Sequence, residues 1–134
     1  MKIMLDTNIV VYMIKNKDTS MLNNIYKFTF SDICISSITL AELEYGIEKS
    51  IHKEQNRLAL LYFLTLIEVV PYTEKAASCY GKIRSELEKN GNLLGSLDML
   101  VASHAMALSY TLITNNIKEL STVNDLKLDN WASR

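Results

Sequence analysis

The chain has 134 residues, with 14 Lys and Arg against 15 Asp and Glu and a net charge of −1. That length suits one domain with a single core, so residues 1–134 are expected to fold as one unit. The balance lacks the basic excess of a general nucleic-acid binder, so any nucleic-acid role must rest on a local site. No apolar run is long enough to cross a bilayer. Lys2 is followed by only three apolar residues before Asp6, too few for a signal peptide. The expectation is therefore a cytoplasmic protein with no membrane partner. Cys34 and Cys79 sit in separate apolar segments with no Cys or His at ligand spacing, which predicts buried free thiols and no zinc site.

Taken in order, residues 2–5 read as a strand that stops at Asp6-Thr7-Asn8, and residues 7–15 as a helix. Asp18 or Thr19 is placed to cap a helix over 20–29. Ile33-Cys34-Ile35, bounded by Ser31-Asp32 and Ser36-Ser37, reads as a second strand. A helix opens at Ser37 or Thr39, with Leu40, Leu43 and Ile47 as its buried stripe. Another follows from His52 to Leu66, with Leu58, Leu61 and Leu64–Leu66 apolar. Ile67-Glu68-Val69-Val70 is a third strand, ended by Pro71. Thr73 to Asn90 is helical and stopped by Asn90-Gly91. A helix runs from about Leu97 to Leu108, and Thr111-Leu112-Ile113 is a fourth strand. A helical turn at 117–120 and an edge strand at 126–128 follow, with Trp131 packing behind. Strands alternating with helices predict an α/β/α sandwich around a mainly parallel sheet of four or five strands. In such sheets ligands bind beyond the carboxyl ends of the strands, which points to Asp6 and to Asn115-Asn116.

Three carboxylates stand in unusual places. Asp6 ends an apolar strand, where an unpaired charge is costly; the plain alternative is that it caps the next helix. Glu42 lies early in its helix between Ala41 and Leu43, on the face of Tyr45 and Gly46, where a glycine suggests close approach of something. An exposed helix glutamate is the plain alternative. Asp98 opens an apolar helix, where the helix dipole alone favours an acid. Ala102 and Ala105 follow along its face and leave room beside it, whereas His104 is on another face and reads as a satisfied core or surface histidine. If the acids converge, two carboxylates about 4 Å apart repel by roughly 4 kcal/mol at an effective dielectric near 20. A divalent cation relieves that repulsion, and an all-oxygen donor set favours Mg²⁺ or Mn²⁺ over Zn²⁺. Such a centre polarises phosphoryl oxygens and activates water, which is chemistry for phosphodiester hydrolysis.

Met4-Leu5-Asp6-Thr7-Asn8, the run Ile35 to Gly46 containing Ala41-Glu42-Leu43-Glu44-Tyr45-Gly46, Asp98 with Ala102 and His104-Ala105, Leu112-Ile113-Thr114-Asn115-Asn116 with Glu119, and Trp131 together resemble the PIN-domain ribonucleases. More narrowly they resemble the VapC toxins of bacterial VapBC toxin–antitoxin modules. The resemblance spans the chain with its blocks in order. It implies a PIN-type α/β/α fold and a Mg²⁺- or Mn²⁺-dependent endoribonuclease. Asp6 and Asp98 would be the chief metal ligands, with Glu42 binding metal directly or through water. Many PIN domains carry a fourth acid where this chain has Asn116, and Glu119 is placed to make up that charge. Thr7 and Thr114 match hydroxyls that orient ligands or bind the scissile phosphate. The resemblance further implies a tRNA substrate, in some relatives the initiator tRNA. It implies a VapB-type antitoxin whose C-terminal segment enters the active-site groove, a homodimer, and operator DNA contacted only through the antitoxin.

Candidate contacts to the RNA backbone are Lys15, Lys17, Lys49, Lys53, Arg57, Lys82 and Arg84, each of which also reads as a solvated surface charge. Tyr12, Tyr45 and Tyr62 are candidates for an apolar groove, or for core. His52 and His104 lie in distant helices, which argues against a metal-free ribonuclease with paired histidines. Two other functions compete. An aspartyl-nucleophile phosphatase needs a second aspartate two residues after the first, where this chain has Asn8. A catalytically inactive PIN-like scaffold for RNA or a partner rests on the missing acid at Asn116.

Overall fold

Ile3, Met4 and Leu5 are fully buried, and a strand apolar on both faces belongs in the middle of a covered sheet. The computed structural model, which describes residues 2–16 and 30–131, places it there. Strands Ile3–Leu5 (β1), Ile33–Ser36 (β2), Glu68–Val70 (β3), Thr111–Ile113 (β4) and Leu128–Asp129 (β5) form one sheet in the order β3-β2-β1-β4-β5. Every pairing is parallel. Met4 pairs with Cys34 on one side and Leu112 on the other, so β1 is flanked by strands far away in sequence.

The helices among the described residues are α1 (Thr7–Asn16), α2 (Ser37–Glu48), α3 (Lys53–Leu64), α4 (Glu74–Lys89), α5 (Ser96–Leu108) and the short α6 (Ile117–Leu120). Alternation along the strands divides the core. Ile3, Leu5, Ile33 and Ile35 face one layer, where Ile9 and Val10 of α1, Leu43 and Ile47 of α2, Leu60 and Phe63 of α3, and Trp131 pack. Met4, Cys34 and Leu112 face the other, against Val101, Ala102 and Ala105 of α5 and Leu120 of α6. Ile83 and Leu87 of α4 pack on Met99 of α5, outside that layer.

Several expectations are corrected. The buried residues of α2 are Thr39, Leu43 and Ile47, with Leu40 only half-buried, because Thr39 turns towards α1. On α3 the core positions are Leu60 and Phe63, while Leu58 and Leu61 are more than half exposed. The last strand lies at Leu128–Asp129 and not at 126–128. Cys34 is a buried free thiol pushed up to about 12, chiefly by burial, but Cys79 is only half-buried. The helix expected over 20–29, its caps Asp18 and Thr19, and Lys17 lie outside the described residues. Among the described residues no helix is long and apolar enough to cross a membrane.

Candidate active site

The carboxyl end of β1 delivers Asp6, which is held by the Thr7 amide and by the Thr114 hydroxyl. Asp6 is buried. One oxygen accepts the Thr7 amide at 2.8 Å, and the other accepts the Thr114 hydroxyl, from just past the end of β4, at 2.8 Å. The Asp6 carbonyl takes the first intrahelical bond of α1, from the Val10 amide at 3.1 Å. The residue therefore occupies a helix-start position: one carboxylate oxygen takes the first amide of α1, and the other is bound by Thr114. Burial pushes the Asp6 carboxyl above its usual range, against the pull of Thr114 and the Thr7 amide.

Thr7 links α1 to α2. Its hydroxyl donates to Glu42 Oε1 at 2.8 Å and stands 3.3 Å from the Thr39 hydroxyl. Thr39 is fully buried and sits on the face of α2 that carries Glu42. Sequence reasoning passed over it, although its place three residues before Glu42 puts both on one helix face. Thr114 also accepts the Asn116 amide at 3.0 Å, which turns the chain into α6. The Asn116 side chain makes no capping bond to α6.

Asp98 lies in the first turn of α5. Its carboxyl is held above the usual range by burial first, and then by the negative charges of Asp6, Glu42 and Glu119. The negative charges of Asp6, Glu42 and Glu119, from three other segments, thus all reach Asp98.

As they stand, no three His, Cys, Asp or Glu side chains among the described residues form a group that could hold a metal ion. The chemistry of the donors nevertheless fits a hard divalent cation. All are carboxylates, and their charges act unfavourably on Asp98. Each oxygen of Asp6 takes one hydrogen bond and keeps a lone pair.

Thr7 and Glu42 also line a cleft of about 340 Å³ that runs between α1, α2 and α3 past Val11, Ile14, Leu43 and Leu60. Lys15 and Lys49 stand along it. A Cβ added to Gly46 meets nothing within 4 Å, so no part of the described chain approaches there; the glycine widens the cleft. Ala102 and Ala105 are likewise corrected. Both are fully buried and let α5 settle on Met4 and Leu112, so their small size serves the core packing. Arg57 is paired with Glu44, and Arg84 with Glu88 at 3.1 Å and the Tyr80 hydroxyl at 2.9 Å. Lys53 and Lys82 line other surface clefts. Tyr45 and Tyr62 are exposed, whereas Tyr12 is half-buried against the core. Asn8, the position at which a phosphatase would need its second aspartate, is exposed.

The PIN domain family model matches residues 3–125. Ribonuclease VapC2 of Rickettsia felis is 47% identical over 129 residues, covering 96% of each chain. The chain belongs to the VapC group of the PIN-domain family. Among its VapC relatives is the tRNA(fMet)-specific endonuclease VapC of Shigella flexneri, 39% identical over 98% of this chain and 99% of that one. The crystal structure of VapBC2 from Rickettsia felis bound to a DNA fragment from its promoter superposes with a TM-score of 0.93. It is 46% identical and covers 98% of this chain and 99% of that one. The all-parallel five-stranded sheet of this VapC-group chain is therefore the PIN fold, as the ordered motifs predict.

Proposed function

We propose that this protein is the toxin of a VapBC-type toxin–antitoxin module, an endoribonuclease that hydrolyses tRNA with a divalent cation, Mg²⁺ or Mn²⁺. The observation that carries this reading is the buried Asp6 beyond β1, whose neighbour Thr7 binds Glu42, with the charges of Asp6, Glu42 and Glu119 all felt at Asp98. Relatives named as ribonucleases and a tRNA(fMet)-specific endonuclease support the activity and the substrate. The solved VapBC assembly on promoter DNA supports a VapB-type antitoxin, through which operator DNA is contacted. Nothing in the site favours the inactive scaffold, since Asp6, Glu42 and Asp98 are all present and Glu119 stands in for the acid absent at Asn116.

In this reading Asp6 and Asp98 hold the cation, with Glu42 beside them. When bound, the cation lowers the pKa of a water and polarises a phosphoryl oxygen. Thr114 orients Asp6 by bonding one oxygen, leaving lone pairs for binding. Thr7 does the same for Glu42. Glu119 adds negative charge, which strengthens cation binding at Asp98. Lys15 and Lys49 meet the RNA backbone along the cleft, whereas Arg84, already paired, contributes little. Water attacking phosphorus in line with the departing 3′-oxygen would leave a 5′-phosphate and a 3′-hydroxyl, and with the 2′-hydroxyl taking no part no cyclic phosphate would form.

The test is cleavage of total tRNA by antitoxin-free protein in Mg²⁺ or Mn²⁺, with fragment ends sequenced. Discrete fragments are expected to disappear with EDTA and to fall by about 100-fold or more in Asp6→Asn. Fragments ending in a 2′,3′-cyclic phosphate, or cleavage that survives EDTA, would refute the reading.

A further inference from the structure

Behind the carboxylates, the helices carrying Glu42 and Asp98 are tied together by buried polar groups that the chemistry above leaves unused. Ser36, the last residue of β2, is fully buried, and its hydroxyl accepts the Ile38 amide at 3.0 Å, capping α2. His104 is fully buried on α5, and its Nδ1 stands 2.7 Å from that same hydroxyl. The Ser36 oxygen keeps a second lone pair and its own proton, so it bonds Nδ1 in either neutral tautomer of His104, as donor or as acceptor. Burial keeps the ring neutral by lowering its pKa, with the Pro71 carbonyl acting against that shift; Nε2 itself makes no hydrogen bond of normal geometry.

Tyr72 completes the tie. Its ring stands edge-on to His104, with centroids 5.2 Å apart and planes at 76°. Its amide donates to the Ser37 hydroxyl, at the first residue of α2, at 3.0 Å. Its hydroxyl meets the Ser103 hydroxyl of α5 at 2.8 Å. Ser103 and His104 of α5 are therefore joined to Ser36 and Ser37 at the start of α2, directly in one case and through Tyr72 in the other. Apolar side chains alone would hold two helices together but tolerate small slides between them. A buried polar pair does not, because a displacement leaves a desolvated group without its partner.

We propose that His104 is a positioning residue of the cleavage site: through Ser36 it fixes α2 against α5 and so sets the separation of Glu42 from Asp98. This rests on the reading of those carboxylates as the cation-holding site. It gives a role to a fully buried histidine whose Nδ1 is engaged by Ser36.

The test compares His104→Leu, which fills the space without the hydrogen-bonding nitrogen, with His104→Asn, whose amide returns a polar atom at the Nδ1 position. Three quantities are measured: melting temperature, Mn²⁺ affinity by calorimetry without RNA, and kcat and KM on total tRNA. For His104→Leu, kcat and Mn²⁺ affinity are each expected to fall by about 10- to 100-fold with KM near wild type. His104→Asn is expected to recover most of both. If His104→Leu does not melt cooperatively, Ser36→Ala takes its place, with the same losses expected. A folded His104→Leu or Ser36→Ala with wild-type kcat and Mn²⁺ affinity overturns this inference alone, as does a folded His104→Asn no better than the leucine variant. Wild-type protein with neither EDTA-sensitive cleavage nor Mn²⁺ heat overturns the parent reading and this inference with it.

Discussion

Asp98 carries the energetic signature of the site. In the metal-free protein its folded-state pKa is raised above the ordinary 3.8 by burial and by Asp6, Glu42 and Glu119. A carboxyl raised on folding is best accommodated protonated. Its contribution to stability is fully present below the ordinary value and is lost as pH rises through the raised one. Once that carboxyl ionises, the folded protein carries the cost of the charge. Asp98→Asn removes that cost, so the metal-free variant should melt a few degrees above wild type at pH 7. The gain should vanish below the ordinary carboxylate range, and Mn²⁺ should narrow it by stabilising wild type alone. Thermal melts across pH, with and without Mn²⁺, check all three points. Equal melting of wild type and variant at pH 7 would mean that the acids do not repel as their arrangement indicates. Asp6, Glu42 and Asp98 stand out in the sequence because each interrupts an apolar segment, whereas Glu119 stands out only by resemblance. Their hydroxyl partners were legible only in part. Thr7 and Thr114 stood out by resemblance, whereas the contact of Thr39 with Thr7 depends on how α1 crosses α2, which spacing does not encode.

Among the elements, α5 has the heaviest duties: it bears Asp98 at its start, His104 along its length, and the core alanines that seat it on the sheet. It ends at Ser109 in the left-handed conformation, φ 59°, with the Tyr110 amide returning to the Ala105 carbonyl at 3.0 Å. A serine there bears a Cβ clash that glycine lacks. Ser109→Gly should stabilise the protein by about 1 kcal/mol, read by urea denaturation, and leave cleavage unchanged because the substitution is remote from the carboxylates. Strand and helix positions were largely readable from the 2.0 and 3.6 residue periods and the Gly and Pro punctuation. The buried face of α3 was not. Its sequence offers apolar residues all round, and only the tertiary packing selects Leu60 and Phe63 over Leu58, Leu61 and Tyr62.

For the whole molecule, a net charge of −1 supplies no general attraction to RNA. Binding must come from a few cations beside the cleft, so its salt dependence should be shallow, corresponding to about two to four phosphate contacts. Lys15→Ala and Lys49→Ala should each reduce that slope by about one contact and weaken tRNA binding, while Arg84→Ala should do neither. Filter binding across a salt series separates these outcomes, and a slope unchanged in the double lysine variant would place the RNA elsewhere. The sheet order has one more consequence. Asp6 is bound by Thr114, 108 residues further along the chain, and Asp98 and Glu119 also come late in it. A polypeptide emerging from the ribosome presents its N-terminal half first. The nascent chain thus holds Asp6 and Glu42 without Asp98, Thr114 and Glu119. Under the proposed reading as a tRNA-cleaving toxin, the strand order keeps the centre incomplete until β4 and α6 have followed, late in synthesis.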